Sequence, residues 1–267
     1  MTNINLVYFY LLTPLHTGGT TQEGNLLGIA RESHTDLPYV PSSSIRGRLR
    51  SMTDSGIRNQ LWGNTIGDVT GGSEENLTQG ALWIGDGSIL WLPVPSLSHG
   101  VVWISSPMLL QRWKRLQGES ITVPDYSTNL KKGKPIYLKD AIIKETELRE
   151  WSNWKSCIPE SSETKGIQRV LVLPDQHCAT LIQMSLWRQV KIKLDEHKTV
   201  DGGFRYEEAV PPDTLMYFPW GITSQANGNA SSAKVDFENL LSEHEILQIG
   251  GQESLGRGFV QTWLASN

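Results

Sequence analysis

The order of residues predicts an α+β fold with mostly antiparallel strand pairing. Two observations carry this. Short apolar runs of strand length (Asn3–Leu12, Ala81–Val94, Val101–Ile104, Arg169–Leu173, Pro211–Trp220) are interspersed with capped amphipathic stretches. They also lack the regular strand–helix–strand rhythm of a doubly wound sheet, and a split β-α-β plate with long excursions fits their order. The 267 residues are read as one domain, 1–267, with loop excursions near 63–80, 121–139 and 224–234.

Taken in order, Asn3–Leu12 is apolar and aromatic throughout, as a strand buried on both faces should be. It runs out at Pro14 into a Gly/Thr turn, and a loop leads on to the extended segment Pro38–Pro41. Ser42–Ser44 then offer N-caps to a helix carrying Arg46, Arg48 and Arg50. Asp54-Ser55-Gly56 breaks that helix, and Ile57–Trp62 forms a second helical piece. Gly63–Gly80 is Gly/Ser/Asn-rich and acidic, hence a loop. Ala81–Val94 reads as two strands joined at Gly85-Asp86-Gly87. Ser106-Pro107 opens a helix with Leu109, Trp113 and Leu116 on one face, ended by Gly118. Ile121–Lys139 is a loop or ribbon, Ala141–Trp154 has mixed helical spacing, and Ala179–Leu194 reads as a strand. Thr199–Tyr206 holds a turn at Gly202-Gly203, Ser224–Lys234 is a small-residue loop, and Val235–Leu247 is a helix.

Hydrophobic content of 38% against 19% charge makes the chain globular rather than disordered. Among its ten tryptophans, Trp83, Trp91, Trp103 and Trp187 lie in apolar surroundings and are assigned to the core. The formal charge of −4 gives no global electrostatic drive toward nucleic acid, so a polyanion would need a local basic face. Cys157 and Cys178 lack metal-ligand spacing. With no signal peptide read, free thiols in a reducing cytosol are expected, and a cytoplasmic location with them. No apolar run reaches the length of a membrane span.

Two stretches carry chemistry. The first is the serine-led helix start, where free backbone amides, the helix dipole and Arg46, Arg48 and Arg50 together form an anion cradle; an ordinary solvated helix is the plainer reading. The second is Ile249–Gly258, IGGQESLGRG. It nearly spells a phosphate-binding loop but has Arg257-Gly258 where lysine and a hydroxyl residue belong, which excludes nucleotide hydrolysis. Gly250, Gly251, Gly256 and Gly258 around Arg257 fit a structural turn and a backbone-anion cradle equally. His16, at the end of the first strand, fits a packing or hydrogen-bonding residue better than a catalyst. His34 with Asp36 is too small a set for a metal, and no nucleophile–base–orienter set is present.

The segments LTPLHTGG, GIARESHTDLPYVPSSSIRGRLRS, LPVPSLSHGVVWISSP, KTVDGGFRYEEAVPPDTLMYF and IGGQESLGRGF occur in this order. Together they resemble the RAMP superfamily of CRISPR proteins, most nearly the backbone (fourth) subunits of type III-B Cmr effector complexes. The resemblance implies a modified ferredoxin-like or RRM-like palm with a thumb hairpin and finger excursions, the thumb being supplied by Gly63–Gly80 or Ile121–Lys139. It implies a guide-RNA-binding backbone subunit that stacks along the crRNA and sets register on complementary target RNA. The implied partners are crRNA, target RNA, copies of itself or other RAMP subunits, and large Cas10-type and small helical subunits. RNA-binding residues would be His16, Ser43, Ser44, Arg46, Arg48, Arg50, Gly250, Gly251, Gly256, Arg257 and Gly258, with both cradles facing the same guide phosphates in one groove.

Relatives that cut RNA place an aspartate upstream of the RESHT segment; counting back from Arg31 and Glu32 puts that position at Leu26. Leucine can neither hold a hard cation nor help deprotonate a ribose 2′-hydroxyl, so the chain is read as inactive or weak. The alternative is retained metal-dependent cutting at regular intervals, with Glu23 or another acid as replacement and Mg²⁺ or a similar ion as cofactor. RNA binding itself needs no cofactor. A histidine-based, metal-independent guide-processing ribonuclease is the remaining alternative, with His16 the candidate. Asp213 and Tyr217 are placed near the same face.

Overall fold

The computed structural model describes residues 4–19, 22–23, 26–71, 76–131, 133–226 and 230–265. The central strand β1 (Asn5–Leu11) is covered on both faces as expected. Val7, Phe9 and Leu11 enter one core cluster, and Leu6, Tyr8 and Tyr10 enter another. Short strands β2 (Gln22–Glu23), β3 (Leu26–Leu27) and β4 (Tyr39–Val40) follow, then α1 (Ser42–Met52), α2 (Ser55–Trp62) and α3 (Ile66–Thr70). Asp54 caps α2 by accepting from the Gly56 amide at 2.7 Å. β5 (Leu82–Ile84) and β6 (Gly87–Ser96) meet at the expected Gly85-Asp86-Gly87 join but do not reverse there, both pairing antiparallel with the later segment Leu215–Ile222, and β7 (Gly100–Ser105) forms a hairpin with β6. α4 (Pro107–Leu116) starts at Ser106-Pro107, with the serine side chain accepting from the Leu109 amide.

Four short strands come next: β8 (Ser127–Thr128), β9 (Ile136–Tyr137), β10 (Ile142–Ile143) and β11 (Arg149–Glu150). The helical spacing read in Ala141–Trp154 is not realised as an α-helix. The β-branched pair Ile142-Ile143 joins β9, and β11 runs parallel to β8 at the sheet edge. Beyond β12 (Val170–Val172), the stretch read as a strand over Ala179–Leu194 divides in two. Pro174 and Asp175 open α5 (Asp175–Met184), which buries Cys178, Leu181 and Ile182 at helical spacing; only then does β13 (Trp187–Leu194) begin.

β14 (Val200–Ala209) contains Gly202 and Gly203 within the strand, not in a turn. The hairpin turns at 195–198 instead, where the Asp195 carboxylate accepts from the amides of His197 and Thr199 at 2.9 and 2.8 Å. β15 (Leu215–Ile222), α6 (Ala230–Glu243), β16 (Ile246–Gln248) and β17 (Phe259–Leu264) complete the chain. α6 starts at Ala230, inside the segment expected to be loop; residues 227–229 of that loop lie outside the described set.

Among the described residues, eleven strands form one mixed sheet with the path β11-β8-β12-β7-β6-β15-β1-β17-β16, β4 joining β6 and β5 joining β15. α1, α2, α5 and α6 bury their apolar residues on the Val7–Phe9–Leu11 face. Trp91, Trp103 and Trp113 fill the other. Trp83 and Trp187 are only half-buried, so two of the four tryptophans assigned to the core stand at its margin. No helix among the described residues is long and apolar enough to cross a membrane.

A second sheet, β13-β14-β3-β2, stands beyond the C-terminal end of β1. Its hairpin projects from the body. Residues of the 121–139 stretch such as Ser127, Leu130, Ile136 and Leu138 are buried, and Gly63 bridges back to Gln79. Most of β13 and β14 is exposed.

Candidate nucleic-acid interface

Past Leu11 the chain runs along the glycine-rich loop and the base of the hairpin. Leu15 bridges Val210, the Gly258 amide donates to the Pro14 carbonyl at 2.9 Å, and the Gly251 amide donates to that of His16 at 2.9 Å. Gly250 and Gly258 have φ of +82° and +77°, and a Cβ at either would overlap the carbonyl oxygen of His16 or Ile249. Of the two readings left open for this loop, close packing on the Pro14–His16 segment therefore accounts for Gly250 and Gly258. Gly256 stands apart, with open space around it.

Arg257 does not face outward. It is 4% exposed, its guanidinium lies 4.5 Å over the Trp187 ring, one nitrogen donates to Gln189 Oε1 at 3.0 Å, and another sits 3.4 Å from Glu207 Oε2. A cation committed on three sides is not an open phosphate ligand. The serine N-cap expected for the helix is corrected. The cap of α1 is Pro41, without a side-chain hydrogen bond, and Ser42–Ser44 lie inside the first turn. Asp86 Oδ1 takes the Ser42 amide at 2.7 Å, so one of the chain's own carboxylates already sits at the positive end of the helix. Arg46 donates to the Trp62 carbonyl at the end of α2, and Arg50 to Asn59 Oδ1 at 3.3 Å. Arg48 is half-buried, Ser43 exposed and Ser44 half-buried.

Nor do the two cradles share a groove. Arg46 reaches the end of α2, which is tied through Gln60, Ala81 and Thr223 to the sheet end where Trp220 pairs with Asn5. The glycine loop lies past Leu11 at the other end of β1. Seven strand residues separate those ends by roughly 20 Å.

The residues that organise the hairpin base are ones the sequence reading passed over. Glu207 and Glu208 are adjacent on β14 and so point to opposite faces, and both are fully buried. Glu207 meets Lys191 and Arg205, each at 2.9 Å. Glu208 meets Arg31 and Arg188, each at 2.8 Å. Two acids side by side in a strand cannot both reach solvent on a one-sided surface; that was the available signal. Burial pushes the Glu207 carboxyl up, but the Lys191 and Arg205 cations bonded to it outweigh burial and hold it below the ordinary carboxylate value. A depressed folded-state value stabilises above the unfolded value and is lost as pH falls through the folded one. The melting-temperature gap between wild type and Glu207→Gln should therefore be widest near neutral pH and close as pH drops below about 4. A gap that stays constant with pH would contradict this pairing.

A cleft of about 510 Å³ opens beside Glu208, lined among others by Leu26, Ala30, Arg31, Glu32, Arg188 and Glu208. Leu26 pairs in parallel with Tyr206. Glu32 is held by both terminal nitrogens of Arg112, at 2.6 and 3.1 Å, and Asp36 points to solvent. His34 lies 3.8 Å from Glu32, and no metal-sized group of His, Cys, Asp or Glu occurs among the described residues. These donors do not fit a divalent ion, because Glu32 and Glu208 are each already clamped by guanidinium groups. The backbone register places Glu23 opposite Leu26. His16 is buried, with Nδ1 2.9 Å from the Glu208 carbonyl oxygen. Asp213 and Tyr217 belong to the other face of β1: Tyr10 donates to Asp213 at 3.1 Å, and Tyr217 packs in the tryptophan-rich cluster.

The hairpin is two-sided. Val190, Ile192 and Leu194 of β13 oppose Tyr206, Phe204 and Val200 of β14, and all six are 41–60% exposed. Lys191 and Arg205 pair with Glu207 on the opposite side, and Lys193 pairs with Asp201 at 2.8 Å. Six half-exposed apolar side chains in a row make a contact surface, not a solvated strand.

The model of the RAMP superfamily matches residues 8–261. The CRISPR system Cmr endoribonuclease Cmr4 of Pyrococcus furiosus is 28% identical, over 97% of this chain and 95% of that protein. The crystal structure of oligomeric Cmr4 from P. furiosus superposes with a TM-score of 0.71 at 24% identity, over the whole of both chains. A chain of the type III-B Cmr-beta complex bound to cognate target RNA superposes with a TM-score of 0.74 at 20% identity, covering 98% of this chain and 96% of that one. Both show the same α+β fold, and with the family model spanning nearly its full length this chain belongs to the RAMP superfamily.

Proposed function

We propose that this chain is a guide-RNA-binding backbone subunit of a type III CRISPR effector complex, contributing scaffold and register and not cutting. The observation that carries the reading is the projecting hairpin, apolar and aromatic on one exposed side, set beside His16 and the glycine loop in a RAMP fold. An apolar and aromatic surface accepts bases of any sequence. The names of its relatives, a Cmr endoribonuclease and subunits of a complex bound to target RNA, support the same assignment. Copies of the chain and other RAMP subunits are the expected neighbours, with Cas10-type and small subunits completing the assembly.

Leucine at position 26 and the clamped state of Glu32 and Glu208 argue against retained cutting. One observation favours the second reading: Glu23 sits opposite Leu26 in the β2–β3 register. The test uses the assembled complex, complementary RNA and magnesium. Stable binding without spaced products is expected, and Leu26→Asp should introduce such products. Wild-type products that vanish in Glu23→Ala would establish the second reading, and failure to retain guide RNA would end the first.

A further inference from the structure

We propose that Glu208 is a positioning residue that fixes the hairpin, the loop after β3 and His16 in the one arrangement that holds RNA. The affinity part of this rests on the function proposed above; the structural part does not. Three segments distant in sequence end on this residue. From the end of β1, His16 Nδ1 lies 2.9 Å from its carbonyl oxygen. A carbonyl only accepts, so Nδ1 carries the proton, and in the neutral ring Nε2 is left as an acceptor. From the loop, Arg31 donates to Oε2 at 2.8 Å while also holding Gln183 of α5. From β13, Arg188 donates to Oε1 at 2.9 Å through Nε, with a second nitrogen at 2.8 Å. Each carboxylate oxygen is thus taken by a guanidinium from a different segment. The fully buried carboxylate sets the spacing between hairpin and loop across the floor of the cleft.

Charge and position make opposite forecasts. Glu208→Gln removes a negative charge beside the proposed RNA path, so electrostatics alone predicts tighter binding. Loss of positioning predicts weaker binding, by roughly tenfold, the scale of one buried charge-assisted contact. Glu208→Asp keeps the charge but is one methylene too short to serve both arginines, and should weaken binding in the same direction by less.

Guide-RNA affinity of the assembled complex is measured for wild type and both variants. Hydrogen exchange on the RNA-free chain provides the second readout: amides of 188–192 and 29–37 should exchange faster together in each variant. The His16 ring-nitrogen signals should keep the Nδ1–H form, because the carbonyl survives both substitutions. If Glu208→Gln loses that form by unfolding, Glu208→Asp carries the test. Wild-type affinity or better in the variants, or faster exchange in one segment alone, overturns the proposal. A wild-type complex that retains no guide RNA sinks the RNA-binding reading instead, and the exchange result then decides on Glu208.

Discussion

Gly258→Ala is expected to cost about 3 kcal/mol of stability and to lower the melting temperature by roughly 5–10 °C. The residue adopts φ +77°, and a Cβ there would overlap the Ile249 carbonyl oxygen. Its carbonyl accepts from the Ile249 amide at 2.8 Å and its amide donates to Pro14 at 2.9 Å, so a shift that relieves the overlap breaks two bonds. Gly256 provides the control. It has φ +72° but nothing within 4 Å of a built Cβ, so Gly256→Ala should show only the left-handed penalty of about 1–2 kcal/mol. Equal melting temperatures for the two variants would mean that the loop is not packed on the Pro14–His16 segment.

Phe204→Ser combined with Tyr206→Ser should lower guide-RNA affinity by roughly 1.5 to 4 orders of magnitude, since each of the two base–aromatic contacts is worth about 1–3 kcal/mol. The two rings are 48% and 41% exposed and contact each other edge-on at 5.6 Å, outside both core clusters. Their loss should leave thermal unfolding almost unchanged, which separates a contact surface from a misplaced piece of core. Lys193→Ala on the opposite side serves a different role. It removes a cation that is 75% exposed beside Asp201, so it should flatten the salt dependence more than it changes base preference. Wild-type affinity in the double variant, measured by filter retention across a salt series, would remove the hairpin from the RNA path.

Much of the fold could be read from local signals because local signals produced it. Asn3–Leu12 had to hold a strand buried twice over, Ser106-Pro107 had to begin a helix, and Gly85-Asp86-Gly87 had to interrupt a strand. The misreadings occurred where two periodicities overlapped. In Ala179–Leu194 the apolar residues run on from α5 into β13 with only Ser185-Leu186 between them, so no break showed. The hairpin was obscured because its outer residues are apolar, which suggests core, and because Gly202-Gly203 imitated a turn.

The site was less legible. Arginines in α1 look like phosphate ligands in one dimension, whereas Arg46 and Arg50 serve the carbonyl and amide groups of α2. Arg257 looks like the tip of a phosphate loop, yet Trp187, Gln189 and Glu207 enclose it. Partners this remote in sequence, such as Arg31 with Glu208, leave no local trace. Leu26, singled out from the resemblance alone, lines the cleft and pairs with Tyr206.

The most direct test of the account is to cross-link a guide RNA carrying photoreactive uridines to the assembled complex and map the attached peptides. Cross-links concentrated in 187–209, with others in 14–17 and 250–258, are the predicted result. Cross-links confined to α1 and α2 around Arg46, with none on the hairpin, would place the strand at the wrong end of β1 and contradict it.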